Sequence, residues 1–307
     1  SDLKVLGISV APLAAKEKAS RLAERLPGKA ILATLGTEDG RLQVEWKAIL
    51  RDGSNYLRQE IAIQPVKGDC DIAKIVLVEQ EMPGLQIVGA VPGSPVVSGN
   101  LFLGFEHPMS TSQVEDGGWF ADPEAKCFLE RALPLKEGKQ FACSSVIGVV
   151  PEGQMRRGLL YYVERERAHP YRTFLHYNSW YDIGYFTPYN EADCLGVINA
   201  FAKELGEKRG VTMDSFLFDD GWDDTSKGGE WLFHKGFPNG FTPVKEAAAK
   251  VGASPGVWLS PWGGYGPPRE KRVQTGKAAG YEAFGEGYET LFALSGPKYY
   301  QNFHRAC

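Results

Sequence analysis

The spacing of apolar segments changes near residue 170, and this change is the strongest limit on what the chain can fold into. Upstream, short apolar runs such as residues 42–50 and 56–66 are separated by turns rich in Gly, Pro, Asn and Asp. Short strands at this spacing are typical of an antiparallel β-sandwich. Downstream, short apolar runs alternate with helical segments, the order found in sheets of parallel strands. We therefore predict one domain over residues 1–169 and a second over residues 170–307.

The downstream part contains three segments that we predict to be buried strands. They cover residues 173–177, 215–218 and 256–259. The helix after the first strand begins at Asn190, because Asn is a preferred N-cap and acidic residues follow it. The second helix has Thr242 as its N-cap and Pro243 in the first helical position. A further helix begins at Gly296-Pro297.

Two charged segments are assigned by their composition. Residues 14–26 are rich in Ala, Lys, Glu and Arg and precede Pro27-Gly28, which predicts a helix. Residues 269–272 (REKR) carry mixed charges and are interpreted as a solvated surface.

Charge and motif content exclude several classes of partner. The formal net charge is −4, so no basic field favours nucleic acid or an anionic membrane. No apolar stretch reaches the roughly 20 residues that span a bilayer. The glycine-rich fingerprints of dinucleotide and nucleotide sites are absent, and the five cysteines have no C-x-x-C spacing, so we expect no cofactor and no metal site. Homo-oligomer formation stays open, as does cytoplasmic against secreted or periplasmic location.

Tryptophan and tyrosine are concentrated downstream, where residues 171–307 hold five of the seven Trp and ten of the thirteen Tyr. Each predicted strand ends in a cluster of aromatic and polar residues. The clusters are residues 178–181 (NSWY), 219–224 (DDGWDD) and 260–265 (SPWGGY). Active sites of βα folds lie at these strand ends. Carboxylates that accept hydroxyls beside aromatic rings suit a neutral sugar. The candidate binding residues are Asp219, Asp220, Trp180, Trp222 and Trp262.

Other interpretations of these residues remain open. Asp-Gly is a common turn signal, and four Asp in six residues could bind Ca²⁺, although they lack the alternating ligands of an EF-hand. Trp258 lies within a predicted strand, which favours the core. Asp219 and Asp220 are not expected to be a catalytic pair, because adjacent strand residues point to opposite faces.

Three segments resemble the α-galactosidase (melibiase) clan, most closely glycoside hydrolase family 36. Residues 216–222 (FLFDDGW) resemble its second-strand signature, residues 178–180 (NSW) its first-strand tryptophan motif, and residues 255–261 (PGVWLSP) its third-strand segment. The resemblance implies a supersandwich-like β-sandwich followed by a (β/α)8 TIM barrel, here truncated after about three βα units. It also implies that Asp219 and Asp220 hold the hydroxyls of a terminal α-galactose-type ring, with Trp180 and Trp222 shaping the pocket.

The resemblance also implies catalytic residues that this sequence does not contain. Family members use an Asp nucleophile in a Lys-x-Asp motif at the fourth barrel strand and a later Asp as acid and base. The sole Lys-x-Asp here is Lys67-Gly68-Asp69, in the predicted sandwich, where a turn suits it better. Both catalytic carboxylates are therefore expected beyond Cys307, and the chain is expected to be an N-terminal part that is inactive alone.

The leading hypothesis is an α-galactosidase-like retaining glycoside hydrolase that acts on terminal α-galactosides. One alternative is a non-catalytic sugar-binding protein. The other is a transglycosidase of the raffinose-synthase type.

Overall fold

A computed structural model of the chain describes residues 3–184 and 187–307. They form two compact units, Ser1–Tyr171 and Arg172–Cys307. No helix in these described ranges is both long enough and apolar enough to cross a bilayer.

The first unit consists mainly of antiparallel strands. In chain order they are β1 (Leu3–Leu13), β2 (Gly28–Thr37), β3 (Leu42–Arg51), β4 (Tyr56–Pro65), β5 (Lys74–Glu81), β6 (Gln86–Ile87), β7 (Val96–Ser98), β8 (Leu101–Phe105), β9 (Thr111–Glu115), β10 (Glu124–Glu130) and β11 (Phe141–Val149). Helix α1 (Met155–Glu166) follows them. The prediction of antiparallel sheets in this part of the chain is confirmed, whereas α1 was not predicted.

Two sheets build the first unit within the described residues. The larger has the order β1-β2-β3-β4-β11-β8-β7-β6, and the smaller has the order β5-β10-β9. Apolar side chains from both sheets form one cluster, with Val44 and Ile63 from the larger sheet and Val78 and Cys127 from the smaller. Alternation along each strand places these residues on the inner faces.

The helix predicted over residues 14–26 is wrong. This segment is irregular except for one 3-10 turn, Leu22–Arg25, of which Ala23 is the buried residue. Helical composition alone did not suffice, because a short helix depends on tertiary packing more than on propensity, and packing can override the propensity.

Short strands and helices alternate in the second unit. The elements are β12 (His176–Asn178), α2 (Glu191–Phe201), β13 (Ser215–Phe218), α3 (Thr242–Lys250), β14 (Ser254–Val257), α4 (Gly266–Ala278), β15 (Ala283–Phe284), β16 (Leu291–Phe292) and α5 (Pro297–Ala306). The prediction for residues 215–218 is confirmed at both ends. The strands predicted at 173–177 and 256–259 are displaced by one to three residues. Helix α3 begins one residue earlier than predicted, with Phe241 as its N-cap.

Strands β12, β13 and β14 lie side by side in a parallel sheet. Tyr177 is opposite Phe216, and Phe216 is opposite Pro255. Phe216 and Phe218 are buried among side chains of α2 and α3, including Ile198 and Val244. Because the three strands run in one direction, their carboxyl ends meet at one edge of the sheet.

Candidate functional site

Hydrogen bonds tie the three strand ends to one another. The main-chain N–H of Asp219 donates to Ser179 Oγ at 2.8 Å, which joins the ends of β12 and β13. Trp222 Nε1 donates to the carbonyl oxygen of Trp258 at 2.9 Å, which joins the ends of β13 and β14. Burial raises the pKa of Tyr189, and its protonated hydroxyl donates to the Asp219 carbonyl at 2.6 Å. These hydrogen bonds therefore connect the ends of β12, β13 and β14 to one another.

A cavity of about 510 Å³ opens at this edge. Its wall combines one carboxylate, one amide and four aromatic rings. The lining residues are Asn178, Trp180, Tyr181, Asp219, Trp258 and Tyr265. This size is within the usual range of small-molecule sites.

The adjacent carboxylates of Asp219 and Asp220 have different surroundings. Asp219 lines the cavity, and one of its oxygens, Oδ1, accepts the main-chain N–H of Asp220 at 2.8 Å. The Asp220 side chain is 2% exposed and is bound by both terminal nitrogens of Arg272. One carboxylate of the pair therefore reaches the cavity, while the other is held in the interior.

Arg272, on helix α4, is fully buried and also binds Asp223. Its Nε and Nη2 donate to the two oxygens of Asp223 at 2.9 and 2.6 Å. Burial alone would lower the pKa of Arg272, but hydrogen bonds to Asp223 and Asp220 raise it above its ordinary value. Burial raises the pKa of Asp223, against the opposing hydrogen bond from Arg272. We call Asp220, Asp223 and Arg272 the buried ion cluster.

A second cavity, of about 570 Å³, lies in the first unit. Charged groups on its wall pair with one another: Arg58 Nε donates to Glu106 at 2.7 Å, and Arg21 donates to Glu166 at 3.2 Å. Tyr162 also donates to Glu106. These polar groups already bind one another and are not free for a ligand. We therefore place the candidate site in the cavity at the strand ends of the second unit, although it is the smaller of the two cavities.

The structure resembles solved glycoside hydrolases. The family 36 α-galactosidase AgaB of Geobacillus stearothermophilus is 16% identical, with a TM-score of 0.57, and the match covers 99% of this chain and 50% of that one. A variant of AgaA from the same organism, solved with 1-deoxygalactonojirimycin, is 15% identical with a TM-score of 0.58 and the same coverage. Another AgaA variant, solved with stachyose, is 15% identical, with a TM-score of 0.57 and again the same coverage.

The chain shares the fold of the matched half of these family 36 α-galactosidases. It spans about half the length of the solved structures that it matches, and the resemblance predicted from residues 216–222 is confirmed as a shared fold. No family model matches the sequence, and no curated protein matches it.

Within this family 36 fold, the predicted aromatic residues occupy different places. Trp180 lines the cavity. Trp222 is 4% exposed and packs in the core beneath Trp258. Trp262 is 38% exposed and contacts Tyr265 edge-on, beside the cavity lining. Trp258, assigned to the core from its strand, both packs against the core and lines the cavity.

The four Asp of residues 219–224 serve three structural purposes. Asp219 lines the cavity, Asp220 and Asp223 bind Arg272, and Asp224 caps the 3-10 turn Thr225–Lys227 by accepting from Ser226 N. Among residues 3–184 and 187–307, no group of three or more His, Cys, Asp or Glu side chains is arranged to hold a metal ion.

The sequence interpretation missed Arg272. Residues 269–272 were interpreted as a solvated surface, which is wrong for Arg272 because it is 0% exposed. In the structure, Arg272 lies on the same face of α4 as Val273 and Gly276, and all three residues are buried. The Gly-Pro-Pro at its start concealed the helix, although Pro is well tolerated in a first turn.

Proposed function

We propose that the cavity at the strand ends binds the terminal ring of an α-galactoside in a retaining glycoside hydrolase. In this proposal, residues 1–169 form the antiparallel sandwich domain and residues 170–307 the N-terminal part of a (β/α)8 catalytic barrel. The parallel order β12-β13-β14, with helices α2 and α3 between the strands, supports the barrel assignment. The family 36 fold supports the reaction class.

The observation that carries the proposal is the Asp219 carboxylate inside an aromatic cavity. A carboxylate has acceptor sites for two sugar hydroxyls, and the Asn178 amide adds a donor. Trp180 and Trp258 provide apolar ring faces for the C–H face of a pyranose. The solved neighbours carry 1-deoxygalactonojirimycin and stachyose, which supports a galactose-type ring as the ligand.

The remaining candidate residues are proposed to act around this contact. Trp262, at the rim beside Tyr265, is positioned for the part of the substrate that leaves the cavity. Trp222 supports the wall through its hydrogen bond to the Trp258 carbonyl. Asp220 acts through its contact with Arg272 and its main-chain N–H to Asp219.

The test is galactose binding by the 307-residue chain, measured by titration calorimetry. Asp219→Asn removes the charge but keeps the shape, and we expect it to weaken binding at least about tenfold, the effect of one lost hydrogen bond to a charged group. Asp224→Asn is the matched control, because Asn caps a turn as well as Asp. Equal affinity of both variants and the parent would refute the proposed contact, as would the absence of binding at millimolar galactose.

A second candidate is sugar binding without hydrolysis. Among the described residues that line the cavity, Asp219 is the one carboxylate, whereas retaining hydrolysis requires two carboxyls about 5 Å apart. The described lining residues can therefore hold a sugar but include no pair of carboxyls to cut it. Because the 307-residue chain is expected not to turn over in either case, a turnover assay on a longer chain that contains this segment separates the two candidates.

A further inference from the structure

Arg272 does not line the cavity, but it lies close to two residues that do, Asp219 and Trp258. Its guanidinium lies over the rings of Trp231 and Trp258, with 4.8 and 5.8 Å to the ring centroids. Its Nη1 also donates to the carbonyl oxygen of Gly263 at 3.1 Å. Trp258 and Asp219 both line the cavity. Trp258 contacts Arg272 directly, and Asp219 is the sequence neighbour of Asp220, which Arg272 binds.

We propose that Arg272 is a positioning residue that holds Asp219 and Trp258 in the orientation that binds sugar. The proposal rests on the proposed function, since it assigns Arg272 a task in that same cavity. Arg272 has no contact with the ligand in this proposal and acts through its neighbours.

The first connection is polar. Arg272 donates hydrogen bonds to both carboxylate oxygens of Asp220. The Asp220 main-chain N–H in turn donates to Asp219 Oδ1 at 2.8 Å. The Asp219 main-chain N–H is fixed on its other side by Ser179 Oγ. In the proposal, holding the Asp220 carboxylate restricts rotation of the Asp220 main chain, and this keeps the Asp219 carboxylate in its direction.

The second connection is steric. At Gly264, an added Cβ would lie 2.8 Å from Arg272 Nη1 and 2.9 Å from the Trp258 ring. The main-chain N–H of Gly264 donates to Ser260 Oγ at 2.9 Å, which fixes the loop at that distance. Gly264 thus passes close to both the guanidinium and the indole, and in the proposal removal of the guanidinium loosens the packing on this side of the Trp258 ring.

The charge balance makes the role measurable. The buried ion cluster has two carboxylates and one guanidinium, and the titratable groups around it are Asp219, Tyr189 and Tyr299. Without Arg272, Asp220 and Asp223 would be two buried carboxylates side by side, which favours sharing one proton. As pH rises, loss of that proton leaves two repelling charges that displace Asp220. The sugar affinity of a protein without Arg272 should therefore fall as the pH rises. In the parent, the Arg272 guanidinium neutralises the carboxylates, and the affinity should not fall in this way.

The experiment measures galactose affinity by calorimetry from about pH 5 to about pH 8, the range in which a shared carboxyl proton is lost. The samples are the parent chain, Arg272→Met, Arg272→Lys and the control Lys271→Met, a change at the exposed neighbouring residue. We expect Arg272→Met to bind at least about tenfold more weakly at neutral pH and to weaken further as pH rises. The parent and Lys271→Met should show little dependence on pH. Added guanidinium chloride at low millimolar concentration should restore part of the affinity, and equal sodium chloride should not.

Arg272→Lys keeps a positive charge but cannot bind both carboxylates with a planar fork. It should fold, as judged by thermal unfolding, and bind galactose more weakly than the parent. Parent-like affinity at every pH in a folded Arg272→Lys or Arg272→Met would overturn the positioning role while leaving sugar binding intact. Failure of Arg272→Lys to fold would overturn it too, because Arg272 would then be a folding residue. Absence of galactose binding by the parent would overturn both proposals.

Discussion

Gly221 connects the two carboxylates to Trp222, and its position admits no side chain. Its φ is +129°, which L-residues rarely adopt. An added Cβ would lie 2.8 Å from the Thr187 carbonyl oxygen and 3.1 Å from the Tyr189 ring. The glycine of this Asp-Asp-Gly-Trp segment is therefore required by the backbone and by the space around it.

Gly221→Ala should destabilise the chain by about 1–3 kcal/mol, the usual cost of a strained backbone conformation. The measurement is the free energy of unfolding in urea. The matched control is Gly210→Ala in the same unit, where φ is +66° but no atom lies within 4 Å of the added Cβ. The control carries strain without a clash, so it should lose less stability. An equal loss in both variants would mean that the contact with Thr187 and Tyr189 has no cost.

Asp219 and Trp180 follow β13 and β12 closely in the sequence, and both line the cavity; their contact with a sugar stays a prediction. Local sequence was insufficient for Arg272, whose partners Asp220 and Asp223 lie 52 and 49 residues away. Arg272 follows Glu270 and Lys271 in the sequence, and a run of charged residues such as this is typical of an exposed surface. Only the packing of α4 against the second strand end determines that it is buried.

At the scale of elements, helix α2 shows how a short sequence signal fixes a boundary. Asn190 Oδ1 accepts the N–H of Asp193 at 3.2 Å, and Asp193 Oδ2 accepts the N–H of Asn190 at 2.9 Å. This reciprocal capping box satisfies two main-chain donors at the start of the helix. The predicted N-cap at Asn190 is confirmed.

Asn190→Ala should lower the free energy of unfolding by about 1 kcal/mol, because it leaves the Asp193 N–H without its acceptor. Asn190→Asp is the control, since Asp is an equivalent N-cap and should preserve stability. Chemical denaturation of the three proteins gives the comparison. A loss in Asn190→Asp as large as in Asn190→Ala would show that the capping oxygen is not what stabilises this helix start.

The apolar pattern of the sequence predicted an element correctly where a continuous apolar run requires burial. Residues 215–218 are a continuous apolar run, and they form β13. Residues 14–26 and 269–272 were misassigned for a common reason: charged composition shows neither whether a segment has a surface to pack on nor which face it turns inward. Burial against partners distant in sequence decided both.

At the scale of the whole molecule, the first unit has a core between two antiparallel sheets, and the second has a core around three parallel strands. The Lys-x-Asp at residues 67–69 lies in the first unit. There Gly68 has a φ of +75°, and the Asp69 carboxylate binds Lys136 at 2.7 Å. The chain thus bends at Gly68, just before Asp69, and the Asp69 carboxylate is engaged by a lysine.

The 307-residue chain should bind galactose without hydrolysing an aryl α-galactoside, because a glycosyl-enzyme bond needs a nucleophile in addition to Asp219. The measurement is release of the aryl group, with an α-galactosidase of known activity as the positive control. Turnover that disappears in Asp219→Asn would contradict this prediction. In a longer chain that does turn over, product analysis with an acceptor sugar distinguishes hydrolysis from transfer.

The buried ion cluster also has a consequence for how related sequences can differ. A change at Asp220, Asp223 or Arg272 alone leaves a buried charge without its partner, which is strongly unfavourable. Joint replacement of all three by neutral side chains of similar volume avoids that cost. These positions should therefore covary as one inherited set, so that a homologue lacking the arginine also lacks the second aspartate of the Asp-Asp-Gly-Trp segment.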